Sequence, residues 1–291
     1  MNRLRYWIEA MRLRTLPVSV AGVITAIGYN ISSGTFKFLP ALLCLTFAVL
    51  CQIASNFANE YYDYKAGRDK VGREGPRRGV TEGDITPMAM KRAIFGILAV
   101  AAIVGLTLTY WGGLWLIAAG LLIGVGVLAY STGPWPLSTH CLGEIAVIFF
   151  FGIIPVNLTY YVQSLQWSSA VAIGSVAIGL MGANVLIVNN YRDIKDDIAV
   201  GKHTLATALG RKAMIILYLL NSIASAAMMW PEWSANGSAW LIVPCIYMLC
   251  SSAIATGLCR AEGARLTPFL GMTAVLMLVY SVCFYIMCSV K

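Results

Sequence analysis

Nine apolar runs constrain this chain more than anything else in it: near residues 15 to 33, 38 to 59, 91 to 110, 112 to 130, 142 to 162, 168 to 190, 212 to 230, 237 to 257 and 267 to 289. About 20 apolar residues on a helix cover roughly 30 Å of hydrocarbon. A backbone in lipid must also satisfy its own hydrogen bonds, so runs of this length fold as helices. The sequence therefore predicts an all-α integral membrane protein of about nine transmembrane helices, a single domain over residues 1–291, with the Trp111-Gly112-Gly113 turn dividing the third run from the fourth. With 59% hydrophobic and 12% charged residues, the chain has more apolar surface than one soluble core can hide, which excludes the water-soluble enzyme classes.

Alternate threading places the N-terminus and residues 60–90, 131–141, 191–211 and 258–266 on one side. Of the 21 Lys and Arg, only Lys37 and Lys291 then fall on the other side, and of the 13 Asp and Glu only Glu232. The positive-inside rule makes the charged side cytoplasmic. Part of the net charge there, +7 of the chain's +8, is topogenic or attracted to anionic lipid. The interleaved acids point further, to an anionic substrate held among acids and metal ions. No small-residue cleavage site follows Arg3, Arg5, Arg12 and Arg14, so the first helix reads as retained. Eight cysteines without a CxxC, mostly inside runs, read as small buried hydrophobes; neither a disulfide framework nor a zinc site is indicated. His140 and His203 are lone loop histidines and read as solvated.

Two of the apolar runs end in the same polar pair. Asn59 and Asp63 stand 130 positions before Asn189 and Asp193, and the second copy continues to Asp197. Residues four apart share a helix face, so each copy aims an amide and a carboxylate at one point. In the first copy the place of Asp197 is taken by Gly67, and the next acid is Asp69. The segments that follow, read as loops over 59–90 and 189–211, mix these acids with Arg78, Arg192 and Lys202. Oxygen ligands of this kind suit hard cations. Magnesium typically takes a few carboxylates together with substrate phosphates, whose oxygens Arg and Lys also grip. The long first segment, with its glycines and aromatics, reads as a folded cap. No Walker loop or GxGxxG element is present, so a nucleotide is not suggested. Glu144, at the start of the fifth run, reads either as a helix N-terminal cap or as a site residue. Tyr160 and Tyr161 read as interfacial aromatics, whereas Tyr130 borders the charged side.

Asn59-Glu60-Tyr61-Tyr62-Asp63 resembles the first motif, and Asp193-Ile194-Lys195-Asp196-Asp197 the second, of the UbiA superfamily of intramembrane aromatic prenyltransferases. The resemblance covers nearly the whole chain and implies two pseudo-repeated four-helix halves plus a ninth helix. Further elements are Gly67-x-Asp69, Gly75-Pro76-x-Arg78, Gly133-Pro134-x-Pro136-Leu137, Leu142-Gly143-Glu144, Thr159-Tyr160-Tyr161-Val162-Gln163 and Gly201-Lys202-x-Thr204-Leu205-Ala206. In their joint order these are similar to the branch that prenylates 1,4-dihydroxy-2-naphthoate in menaquinone synthesis. Two departures stand out: Glu60 replaces the usual Asp, and Asp69 serves in place of the third acid of the generic first motif, which argues against the 4-hydroxybenzoate branch.

The resemblance implies Mg²⁺ held by Asn59, Glu60, Asp63, Asp69, Asp193 and Asp197, and a diphosphate gripped by Arg78, Arg192 and Lys202. It also implies an aromatic acceptor near Tyr130, Glu144 and Asn189, with Asn59, Asp63, Asp69, Asp193 and Asp197 carrying catalysis. The expected reaction moves a polyprenyl group from polyprenyl diphosphate to dihydroxynaphthoate with loss of CO₂ and diphosphate, in a bacterial cytoplasmic membrane and without nucleic acid. Another aromatic acceptor such as 4-hydroxybenzoate is the alternative. A membrane lipid phosphotransferase or diphosphatase would share the metal logic but lack an acceptor pocket. A transporter would place its ionisable residues near the midplane rather than at helix ends.

Overall fold

A computed structural model describes residues 3–69, 71 and 77–290. Gly75 and Pro76 of the expected loop motif, and Lys291 of the charge count, lie outside the described residues. The structure is helical throughout, and the one pairing of extended backbone among the described residues is an isolated bridge between His140 and His203.

The helices are α1 (Arg3–Met11), α2 (Leu16–Ser32), α3 (Phe38–Lys65), α4 (Pro87–Gly112), α5 (Leu116–Ala129), α6 (Gly143–Val147), α7 (Ile154–Ser164), α8 (Ser169–Ala199), α9 (Leu205–Ala235), α10 (Ile242–Arg260) and α11 (Thr267–Ser289). A π-helical turn over Ile148–Ile153 joins α6 to α7, and α9 breaks at Gly210, where φ is 78°. Every one of the nine expected runs is helical, and among the described residues eight helical segments, with α1–α2 and α6–α7 each taken as one, are long and apolar enough to cross a membrane. The fourth is shorter than its apolar run. Gly113, at φ 87°, ends α4, so α5 begins only at Leu116 and is 14 residues long, which at 1.5 Å per residue is about 21 Å.

In the first half of the chain α3, α4 and α5 pack on one another, and in the second half α8 packs on α6, α7 and α9. Helices α2 and α11 lie against each other, α2 also touching α3, α7 and α8 and α11 touching α8 and α10. The centre is α8, whose residues are mostly buried. It reaches the π turn by close backbone approach: a Cβ on Gly152 would lie 2.4 Å from the Gly179 Cα. Small residues at such crossings let membrane helices pack. Deeper in the second half, Asn184 donates to the Tyr218 carbonyl at 3.1 Å and the Ser222 hydroxyl at 2.9 Å, and accepts from Asn221 at 3.1 Å, tying α8 to α9.

The stretches read as loops over 59–90 and 189–211 are helical in their first parts, α3 running to Lys65 and α8 to Ala199. No glycine or proline stands between Asn59 and Gly67 or between Asn189 and Gly201, and those two glycines, each at φ 67°, end the helices. The turns close alike. Arg68 N donates to the Asp63 carbonyl and Lys202 N to the Asp197 carbonyl, both at 2.9 Å. Measured from the helix ends, the repeat is therefore 134 positions, not 130: Asn59, Asp63, Gly67 and Arg68 correspond to Asp193, Asp197, Gly201 and Lys202. The Asn-Asp pair that catches the eye in the sequence is one helical turn out of structural register, because Asn189 belongs to the turn before.

Candidate active site

A polar stripe on α3 builds one wall. Gln52 donates to Thr15 Oγ1 and to Asn56 Oδ1, both at 3.3 Å, and Asn56 donates to the Met11 carbonyl at 2.9 Å. This stripe holds the turn between α1 and α2, while Trp7 and Ala10 seat α1 on α3 and its neighbours. In the turn, Arg12 adopts the left-handed conformation at φ 52°. Such a conformation costs a non-glycine residue about 1 kcal/mol or more and persists where the surroundings impose it. Here it directs Arg12 Nη2 to Asn59 Oδ1 at 2.7 Å. Arg78 Nη2 donates to the same oxygen at 3.3 Å, and Arg78 Nε lies 3.4 Å from Asp69 Oδ2.

Asp63 is 3% exposed; its Oδ1 makes no hydrogen bond and lies 3.8 Å from Arg68 Nη1. Glu60 does not line the pocket, although the Arg12 charge acts on it; its Oε1 accepts from Val80 N at 3.0 Å. The segment carrying Arg78 is folded over the end of α3, as a cap would be. Val80 and Ile85 are buried against Phe57, Met90 and Ile94, and Arg77 pairs with Asp84 at 2.6 Å.

On α8, Arg192 turns back along its own helix. Its Nε and Nη2 meet the two oxygens of Asp193 at 2.6 and 3.0 Å, and Nη2 also donates to Asn189 Oδ1 at 2.9 Å. Lys202 Nζ stands 3.7 Å from Asp197 Oδ1, matching the Arg68–Asp63 pair of the first half. Glu144 stands in the first turn of α6 and also reaches out of its helix: its Oε1 accepts from Asn190 Nδ2 at 3.0 Å, joining α6 to α8.

These groups surround a polar pocket of about 1010 Å³ of empty space, counted with its open mouth. Of the residues singled out from the sequence, Asn59, Arg78, Tyr130, Glu144, Asn189, Asp193 and Lys202 line it. Asp69, Arg192 and Asp197 are one contact behind, touching Arg78, Asp193 and Lys202 respectively, and Asp63 pairs with Arg68. Sequence reasoning missed Arg12, Ser138 and Asn190, which also line the pocket. Nothing in the order of residues marks Arg12 apart from its basic neighbours. Ser138 Oγ is buried in the wall without a hydrogen bond. Tyr130 follows the end of α5; burial, with Glu144 adding to it, holds its hydroxyl pKa above the usual phenol value, so it remains a donor.

Buried carboxylates and amides are the donors that a hard cation takes; Cys141 also lines the pocket. Among the described residues no three His, Cys, Asp or Glu side chains stand together as a metal cluster. The acids form two groups, on α3 with its cap and on α8, with guanidinium and ammonium groups beside them. Magnesium suits such an arrangement, since it commonly completes its shell with waters and substrate phosphates, and the unbonded Asp63 oxygen is an available ligand.

Gln52, Ser55, Tyr130, Val147 and Phe151 are shared with a second, apolar chamber of about 1050 Å³ between α2, α3, α4, α5 and α7. Buried Val23, Cys44, Leu108, Leu116 and Val162 line it and pack as one cluster. The two spaces thus meet at a common wall, with charge on one side and hydrocarbon on the other.

Residues 20–265 match the UbiA prenyltransferase family. The chain is 32% identical over 295 residues to a 1,4-dihydroxy-2-naphthoate octaprenyltransferase of Haemophilus influenzae, covering 97% of this chain and 95% of that protein. It is 38% identical over 217 residues to the Escherichia coli protein of the same name, covering 72% and 70%. In three dimensions it resembles a UbiA homolog from Archaeoglobus fulgidus bound to DMAPP and Mg²⁺, with a TM-score of 0.67 at 15% identity over 96% of this chain and 98% of that one.

Proposed function

The chain belongs to the UbiA prenyltransferase family, and on that premise we propose that it transfers a polyprenyl group from polyprenyl diphosphate to 1,4-dihydroxy-2-naphthoate, releasing CO₂ and diphosphate and giving a demethylmenaquinol, the reduced form of a demethylmenaquinone. The observation that carries the reading is the shared wall of the two cavities. A polyprenyl diphosphate has the same division, and with its headgroup among the charges its tail enters the apolar chamber, where each buried methylene contributes about 0.8 kcal/mol. The names of the relatives support the acceptor.

Asn59, Asp63, Asp69, Asp193 and Asp197 are the residues that would hold Mg²⁺. Bound there, it would supply positive charge that stabilises the diphosphate as a leaving group. Arg12, Arg78 and Lys202 line the same pocket and add charge-assisted hydrogen bonds to the leaving group. Asp193 and Asn189 hold Arg192 rigid in turn. The electron-rich naphthoate ring carbon attacks the allylic cation, and loss of the carboxylate restores aromaticity. Tyr130, Glu144, Asn189 and Ser138 surround the acceptor's place. Tyr130 donates to an acceptor oxygen, and the Glu144–Asn190 contact fixes that wall. The charge distribution supports an orientation with the charged pocket on the cytoplasmic side, and the bacterial relatives support a bacterial cytoplasmic membrane.

Membranes carrying the chain, supplied with Mg²⁺, one long polyprenyl diphosphate and several aromatic acceptors in turn, test this. Prenylation of dihydroxynaphthoate in preference to 4-hydroxybenzoate is expected. Release of phosphate or diphosphate with no aromatic product would point to a lipid phosphohydrolase instead.

A further inference from the structure

Glu60 stands in the first acidic motif, where resemblance would make it a metal ligand, but its carboxylate is turned to a different task. One residue along a helix is about 100° around it. Asn56 and Asn59 line the polar pocket, whereas Glu60, next to Asn59, does not. It is 1% exposed. A carboxylate buried to that extent needs hydrogen-bond donors, and the backbone of the cap supplies one. Val80 N donates to Oε1 at 3.0 Å, and Gly79 lies so close that a Cβ there would stand 3.5 Å from the same oxygen. Val80 is itself buried among Phe57, Ala58 and Met90.

Two residues before Val80 comes Arg78, which lines the pocket, donates to Asn59 Oδ1 and lies beside Asp69. Adjacent residues of α3 therefore grip the cap at two points, Glu60 by its backbone and Asn59 by the Arg78 guanidinium. We propose that Glu60 is a positioning residue: it pins the Gly79–Val80 backbone so that Arg78 reaches Asn59 and faces the pocket, and it takes no cation. The activity arm of its test rests on the diphosphate reading of that pocket; the exchange arm does not.

Two substitutions separate the roles. Glu60→Gln keeps an oxygen acceptor of nearly the same shape without the charge, whereas Glu60→Ala removes the acceptor. In the purified full chain without substrate, backbone hydrogen exchange over residues 77–86 should be protected in the wild type and in Glu60→Gln, and should speed up about tenfold in Glu60→Ala, the loss of about one hydrogen bond. With farnesyl diphosphate as donor, Glu60→Gln should keep kcat and the half-saturating Mg²⁺ concentration within about threefold of wild type. Glu60→Ala should raise the donor KM about tenfold at nearly constant kcat, and should add nothing in an Arg78→Ala background. A protected cap in Glu60→Gln together with a tenfold higher Mg²⁺ requirement would make Glu60 a cation ligand and overturn the proposal. So would unprotected exchange at Val80 in the wild type. If Glu60→Ala fails to fold, Glu60→Gln still decides. A wild-type protein with a protected cap but no prenyl transfer would refute the functional reading and leave the pinning of the cap standing.

Discussion

Replacing Arg12 by Ala and, separately, by Gly separates what its guanidinium does from what its backbone costs. Both variants lose the 2.7 Å hydrogen bond to Asn59 and the positive charge lining the pocket. A hydrogen bond to a charged group is worth about 1.5–3 kcal/mol, so kcat/KM for the polyprenyl diphosphate should fall about 10- to 150-fold in both variants alike. Stability should divide them. At φ 52° alanine keeps the left-handed strain, about 1 kcal/mol, whereas glycine is relieved of it. Glycine gives part of this back through its freer unfolded chain. The Gly variant should therefore be the more stable by about 0.5 kcal/mol, roughly 1–2 °C in Tm by the general scaling. Initial rates at saturating Mg²⁺ with varied donor, alongside thermal unfolding in one detergent, measure both. Rates within about threefold of wild type in both variants, or an Ala variant more stable than the Gly variant, would refute the reasoning.

Asp63→Asn should lower turnover at least about 100-fold, since it removes a ligand charge that no other group at that oxygen replaces, while the chain stays folded because the oxygen makes no hydrogen bond to lose; undiminished rates in excess Mg²⁺ would remove Asp63 from the mechanism. Asn184→Leu breaks the α8–α9 bridge and should destabilise by about 1–2 kcal/mol without changing the rate per folded molecule, as measured by unfolding and by activity normalised to folded protein. Cysteines introduced at Gly133 and Gly201, in a background cleared of reactive native thiols, should label from the same side of oriented vesicles, opposite a cysteine at position 232; labelling of 201 and 232 from one side would contradict the threading.

Much of the architecture was legible because lipid makes apolar runs and helices nearly the same thing. The acid pairs were legible as well, since i, i+4 spacing fixes a common face, and the glycines that end α3 and α8 stand in the sequence as glycines. The rest depended on the tertiary fold. The brevity of α5 follows from how late its helix begins after Gly113, which hydrophobicity does not record. The register of the repeat depends on where helices end, so Asn189 looked equivalent to Asn59 although Asp193 is its structural counterpart. Arg12 reaches the pocket only through a strained turn held by Gln52, Asn56 and Thr15. Glu144 found its partner in Asn190, 46 positions away, and Glu60 found its own in a backbone amide that no side-chain pattern announces.

The central claim is that the charged pocket and the apolar chamber together prenylate a naphthoate at the carbon bearing its carboxylate. Carboxyl-labelled 1,4-dihydroxy-2-naphthoate, supplied with a polyprenyl diphosphate and Mg²⁺ to the purified chain, should release labelled CO₂ and diphosphate in equal amounts as a prenylated naphthoquinol forms. Diphosphate release without labelled CO₂, or prenylation of 4-hydroxybenzoate with its carboxylate retained and no reaction of the naphthoate, would contradict it.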